Sequence, residues 1–132
     1  MNPVIAGIPV SLAIAAVLYI NEFPDYAADK QVGKNTLVVR LGRERAVVLY
    51  AVMMVGVYVS IWVGWATGSL MLSAVWLAAI TVITLPLALR AVQFARKHHS
   101  SSFDMVPANA LTVTAHLAIG LLLTLVFAWE AV

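Results

Sequence analysis

The sequence predicts an all-α fold, a polytopic membrane helix bundle with four transmembrane helices. Three observations predict it. Of the 132 residues, 63% are hydrophobic and only 11% are charged, whereas a soluble domain carries about 25% charged residues. The mean hydropathy is +0.96. The charges gather mainly in two polar stretches, with long apolar segments around and between them. The chain has no cysteine, which excludes a disulfide framework and a thiolate metal site. The net charge of +2 is small and gives no support to a nucleic-acid partner.

The first span is expected over about residues 4–21, at the short end for crossing a bilayer. Pro9 is tolerated there if neighbouring helices absorb the lost hydrogen bond. A signal peptide does not fit, because the opening Met-Asn-Pro lacks Lys and Arg and no small-x-small cleavage site follows. Pro24 should bend or loosen the helix near Ile20. It either simply ends the helix or turns the residues after it toward a site.

Residues 46–89 contain no charge over 44 positions. One helix of that length would measure about 66 Å, twice the hydrocarbon core. Two spans are therefore expected, at about 46–66 and 70–89, with the turn at Ala66–Ser69. Gly56, Ser60, Gly64 and Gly68 recur every four residues, a small-residue stripe suited to close helix packing. Trp62 and Trp65 suit an interfacial belt. Pro86 should kink the third span, and Arg90 should mark its end.

A polar loop is expected over 90–108. Its adjacent His98 and His99 would diverge on an extended loop, with only Asp104 nearby, so a solvated loop is favoured over a metal site. The fourth span covers about 109–129 and carries Asn109, Thr112, Thr114 and His116. An ionisable residue within a span is a functional candidate by default. His116 shares a face with Thr112, and a hydrogen bond to another helix is the plainer alternative. All eight Lys and Arg fall between Lys30 and Lys97. Four spans put both polar loops on one side, which the positive-inside rule makes cytoplasmic.

The remaining polar stretch, 22–45, carries the chemistry. From Asn21 to Gly42 the chain reads NEFPDYAADKQVGKNTLVVRLG. Asn21, Asp25 and Asp29 recur every four residues, which places them on one helix face with about 6 Å of rise between neighbours. Hard cations such as Mg²⁺ take oxygen ligands, commonly one or two carboxylates plus substrate phosphates. Lys30 and Lys34 follow, with Arg40, Arg43 and Arg45 beyond, so the stretch could take a polyphosphate. The alternative is a solvated interfacial helix end with mixed charges. The cations could equally anchor to anionic headgroups, above all Arg43 and Arg45. Gly33 should end the motif helix as a C-cap, and Lys34 to Gly42 should form a polar connector.

The run N-x-x-x-D-x-x-x-D-K followed by GKNTLVVRLG resembles the second aspartate-rich motif of the UbiA superfamily of intramembrane prenyltransferases. It is most similar to the branch that prenylates 1,4-dihydroxy-2-naphthoate in menaquinone biosynthesis. The likeness covers 22 residues without a gap. It implies a Mg²⁺ cofactor on Asp25 and Asp29, with Asn21 completing the metal shell or positioning Asp25. It implies diphosphate contacts from Lys30, Lys34 and Arg40, and makes His116 a possible acceptor contact. The implied partners are a polyprenyl diphosphate, an aromatic acceptor and the lipid bilayer of the cell inner membrane, with the motif loop on the cytoplasmic side.

Family members have nine helices and two aspartate-rich motifs. This chain resembles the last four helices and the second motif, so it is expected to be the C-terminal part of such a bundle. It would then need an N-terminal half or a partner chain to act. Other family acceptors remain open, among them 4-hydroxybenzoate, a chlorophyll precursor, haem, homogentisate and a glyceryl phosphate. A non-catalytic four-helix membrane subunit or relic is the competing class. A small transporter with Asp25, Asp29 and His116 as an ion path fits less well, because those acids lie at the membrane edge and not near its midplane.

Overall fold

Four long helices form a ring in this computed structural model, which describes residues 3–130. They are α1 (Pro3–Ile20), α4 (Arg43–Ala66), α5 (Ala74–His98) and α6 (Val106–Glu130). Two short helices, α2 (Glu22–Gln31) and α3 (Leu37–Leu41), build the connector between α1 and α4. A single 3-10 turn, Phe103–Met105, leads into α6, and no strand occurs among the described residues. The chain is a polytopic helical membrane bundle. Three helical stretches are long and apolar enough to cross a bilayer: Arg43–Ala66, Ala74–His98 and Phe103–Trp129. A fourth is added if α1 and α2, bent by 47° at Asn21, count as one broken span. The chain ends, expected on the outer side, lie outside the described residues.

The ring closes because α1 and α5 each pack against both α4 and α6. Helix α4 contributes large side chains to the centre, with Tyr50, Met54, Val57 and Ile61 buried. Its neighbours answer with small ones: Ala13 and Ala16 on α1, and Ala88, Ala91 and Ala95 on α5. Close approach through small residues is how helices gain contact where lipid offers no hydrophobic drive. The seam runs mainly on the alanines of α1 and α5, and from the glycine stripe of α4 only Gly56 meets another helix, with Leu12 of α1 3.8 Å from where its Cβ would stand. Gly56 is only half-buried, and Gly68 (φ +68°) is exposed in the turn after α4. Gly64 has a different task. A Cβ there would lie 2.5 Å from Leu70 Cδ1, so the glycine makes room for the returning loop.

Two interhelical hydroxyl pairs tie α4 to α6 across the ring and to its neighbour α5. Tyr50 and Thr112 meet at 2.6 Å, and the Tyr58 hydroxyl donates to Thr84 Oγ1 at 3.1 Å.

The bundle is polar in the sense of having two unlike ends. Trp62, Trp65, Trp76 and Trp129 all stand at the end where α4 finishes and α5 starts. Tryptophans gathered at one level suit a membrane–water interface. The connector helices, and most of the cations, occupy the other end.

Helix α5 runs on through Arg90 to His98, so those residues are helical and not part of a loop. Two features carry it. Ala91 and Ala95 continue the buried seam begun at Ala88, and Arg96, Lys97 and His98 in the last turn complement the helix dipole. Pro9 and Pro86 lie inside helices that continue through them. His98 stacks on Phe94 at 4.8 Å, and His99 Nδ1 meets the Arg96 carbonyl at 2.9 Å, so the two histidines are separately engaged.

Candidate active site

The connector is built from the end of α1 upward. Pro24 is the third residue of α2. The first N–H groups of a helix have no intrahelical acceptor, so a proline there costs α2 nothing while it disturbs the turn before it. The break falls at Asn21. The Asn21 side chain makes no cap on α2. Instead its Oδ1 accepts from Asn109 Nδ2 at 2.8 Å, which pins the bend to the start of α6. Phe23, fully buried, packs edge-on against Tyr19 with ring centroids 5.9 Å apart.

The far end of α2 closes on Gly33, whose φ of +73° is the left-handed value that glycine adopts without strain. Lys34 N donates to the Asp29 carbonyl at 2.8 Å and Gly33 N to the Lys30 carbonyl at 3.4 Å. This is a Schellman motif, and the expected C-cap is the glycine that follows the cap residue Val32. The same turn brings Lys34 Nζ back to Asp29 Oδ1 at 3.1 Å. Asp29 is 8% exposed, and its second oxygen, Oδ2, is buried without a partner. A buried carboxylate oxygen left unpaired is costly, so Oδ2 is ready to accept a cation or a donor. Asp25, one turn earlier on the same face, is exposed.

Helix α3 is held against α2 from both sides of its start. Thr36 Oγ1 accepts from Val39 N at 3.3 Å, and Glu22 Oε2 accepts from Val38 N at 3.1 Å. An acid in the first turn of α2 thus caps the N-terminus of α3, where negative charge is favoured. Arg40 stands exposed on α3, and Lys30 is exposed with its ammonium 5.8 Å from the Tyr26 ring.

Arg43 departs from its expected place among lipid headgroups. Its guanidinium donates to Ser102 Oγ at 2.7 Å, to the Ser100 carbonyl, and more weakly to the Phe23 carbonyl at 3.5 Å. It also lies over the Tyr26 ring at 4.7 Å. A planar fork with several donors suits several acceptors at once. Arg43 fastens α2 to the loop between α5 and α6.

The structure thus gathers Asp25, Asp29, Lys30 and Lys34 on α2 and its cap, with Arg40 on the adjoining α3. Asn21 stands at the entrance to α2, engaged by Asn109. His116 stands apart, seven residues beyond Asn109 and so about 10 Å along α6. It lines an open groove of about 650 Å³ between α1 and α6, and its Nδ1 is buried without a partner. Glu22 and Arg43 are the residues that sequence reasoning missed. Glu22 lies within the motif but off the four-residue register of 21, 25 and 29.

No group of three His, Cys, Asp or Glu converges among the described residues. The side chains present fit a divalent cation only as a carboxylate pair, with substrate oxygens and water completing the shell. That is the usual manner of Mg²⁺ at phosphates, and the idle Asp29 Oδ2 agrees with it.

Searches of curated proteins and of solved structures found no match. The model of the UbiA prenyltransferase family matches residues 1–112, a stretch that includes α1 to α5 and the whole connector. The chain belongs to the UbiA prenyltransferase family.

Proposed function

We propose that α2 and its connector bind the diphosphate of a polyprenyl donor, and that the protein transfers the prenyl group to an aromatic acceptor. The acceptor proposed is 1,4-dihydroxy-2-naphthoate, in menaquinone biosynthesis, on the wording of the motif. The observation that carries the proposal is Asp29: buried, paired to Lys34 through one oxygen, and idle at the other.

In this reading Asp25 and Asp29 hold Mg²⁺, in keeping with a family whose prenyltransferases are generally metal-dependent. Bound there, the ion supplies Lewis-acid stabilisation of negative charge on diphosphate oxygens. Lys30, Lys34 and Arg40 add positive charge, and Lys34 can exchange Asp29 for a phosphate oxygen without leaving its turn. The allylic carbon–oxygen bond breaks and the diphosphate departs with the bonding pair. Charge builds on that leaving group, and preorganised cations favour it most in a site with little water. A ring carbon of the acceptor then bonds to the allylic carbon, and aromaticity returns as that carbon loses its proton, or its carboxylate as CO2, with the bonding pair left in the ring. Asn21, already engaged by Asn109, acts by fixing the direction of α2. His116 is the proposed acceptor contact. The motif end faces the cytoplasm.

The test is Mg²⁺-dependent binding of farnesyl diphosphate to the chain in nanodiscs, followed by prenyl transfer to 1,4-dihydroxy-2-naphthoate once an N-terminal half of the same family is supplied with it. Asp25→Asn and Asp29→Asn are each expected to weaken binding at least tenfold, equivalent to about 1.4 kcal/mol, and to cut transfer by orders of magnitude. Chelation of the metal should do the same to the native chain. Binding that survives both the chelator and the two variants would overturn the assignment.

A further inference from the structure

A second polar cluster lies outside the connector. Arg90, Gln93, Phe94, Lys97 and His98 of α5, with Leu111 of α6, line an open groove of about 500 Å³. Arg90 and Lys97 are exposed. Neither forms an ion pair or a hydrogen bond among the described residues, and the acid nearest in sequence, Asp104, is not joined to them. Two cations therefore meet in one groove with no protein anion to balance them.

Their depth makes this informative. Helix α5 starts at the tryptophan end, with Ser73 as its N-cap. Arg90 is 17 residues further on, about 26 Å along the axis at 1.5 Å per residue. The hydrocarbon core is about 30 Å thick, and any tilt of α5 lowers the depth covered further. With Ser73 set at one face of that core, the Arg90 Cα would lie just inside the other face, and Lys97, about 10 Å beyond, at headgroup level. A guanidinium at that depth needs an anion or a path to water. Helix side chains lean toward the helix start, so Arg90 must turn back along the groove to reach the headgroups. Gln93 and Lys97 line that path. The stacked pair Phe94 and His98, with Leu111, supplies flat apolar surface beside it.

We infer that this groove between α5 and α6 is a binding site for the phosphate of an anionic phospholipid, held by Arg90 and Lys97 with an acyl chain lying down the helix pair. Charge complementarity selects the occupant: a phosphodiester at the interface is the anion that reaches both cations, and its chains match the apolar flank. The inference does not rest on the prenyl-transfer reading.

The helix supplies its own control. Arg96, one residue before Lys97, lines a different groove, between α4 and α5, beside Met54 and Tyr58. Arg96→Gln removes the same charge from the same helix end without touching the proposed site.

The experiment measures phosphatidylglycerol binding to the purified chain in uncharged maltoside micelles, by native mass spectrometry and by the rise in unfolding temperature. Each basic residue near an anionic surface contributes enough to change affinity about fivefold. Arg90→Gln and Lys97→Gln should each weaken binding about fivefold, and the double variant roughly 25-fold. Arg90→Lys should hold most of the affinity, and Arg96→Gln should change it less than about twofold. Should Arg90→Gln fail to fold, Lys97→Gln reads the same site from headgroup level. An equal loss in Arg96→Gln would mean diffuse attraction and would overturn the site. So would equal binding of phosphatidylcholine. Inorganic phosphate that matches the stabilisation would make this a free-phosphate site and overturn the lipid assignment.

Discussion

Replacing Arg43 by lysine keeps the charge and removes the fork. The guanidinium reaches Ser102 Oγ at 2.7 Å, the Ser100 carbonyl and the Phe23 carbonyl at 3.5 Å, and covers the Tyr26 ring at 4.7 Å. These acceptors lie on two different elements. A single ammonium can keep one serine contact but cannot bridge from the loop to α2. Hydrogen bonds from a charged donor contribute about 1.5–3 kcal/mol each, and an exposed cation–π contact about 0.5–1 kcal/mol. The contact to Phe23 at 3.5 Å is long and adds little. Losing one strong bond and the ring contact then costs roughly 2–4 kcal/mol.

The cost should appear locally, because the buried face of α4 at Tyr50, Met54 and Val57 is untouched. Amide hydrogen exchange in nanodiscs should show α2 and residues 99–102 opening about 30- to 700-fold more often. Amides of α4 and α6 should keep their native rates. Unchanged exchange in α2 would refute the clamp. Equal acceleration in all helices would instead make Arg43 a support of the whole bundle, which also refutes it.

Gly64→Ala tests the loop packing: the new Cβ would meet Leu70 at Cδ1 (2.5 Å) and Cγ (2.7 Å), and Leu70 is 1% exposed. Thermal unfolding in detergent should show a loss of about 1–3 kcal/mol, relieved by adding Leu70→Ala. Tyr50→Phe and Thr112→Val, combined in a double-mutant cycle, should couple by about 0.6–1.7 kcal/mol. The coupling is modest because the Thr112 hydroxyl also bonds the Ala108 carbonyl at 2.6 Å; additive losses would refute the pair.

The bundle was legible because lipid solvation leaves a strong mark on composition. An uncharged run of 44 residues must fold back on itself, and it does so through the turn between Ala66 and Ala74. The face shared by Asp25 and Asp29 was legible for the same kind of reason: a four-residue spacing means one face only if the segment is helical, and α2 is. What stayed hidden depends on partners far along the chain. Arg43 looked like a headgroup anchor because its neighbours are Gly42, Glu44 and Arg45. Its acceptors Ser100 and Ser102 lie 57 and 59 residues away. The end of α5 was set too early because a charge was taken to end the span. A helix can leave the hydrocarbon and continue, and the alanines at 91 and 95 carry it on. The glycine stripe of α4 is used only in part, at Gly56 against Leu12 and at Gly64 against Leu70, because small residues at one spacing identify a possible seam while the side chains opposite decide how much of it is used. Here the alanines of α1 and α5 receive the large residues of α4.

The connector divides its labour along α2. Its first turn and the residue before it hold most of its ties to other elements: Asn21 to α6, Phe23 to the core and to Arg43, Glu22 to α3. Tyr26 extends this fixed end by lying under Arg43. The last turns are different. Ala27, Ala28, Lys30 and Gln31 are exposed, and Asp29 reaches no further than Lys34 in its own C-cap. The groups that orient α2 are therefore not the groups proposed to bind. Asp25, Lys30 and Arg40 form no ion pair among the described residues. A ligand could take Lys34 from Asp29 and occupy Oδ2 without disturbing a contact that sets the helix direction. An arrangement of this kind lets charge be exchanged at one end of a short helix while the other end keeps its aim, as the proposed diphosphate site would require.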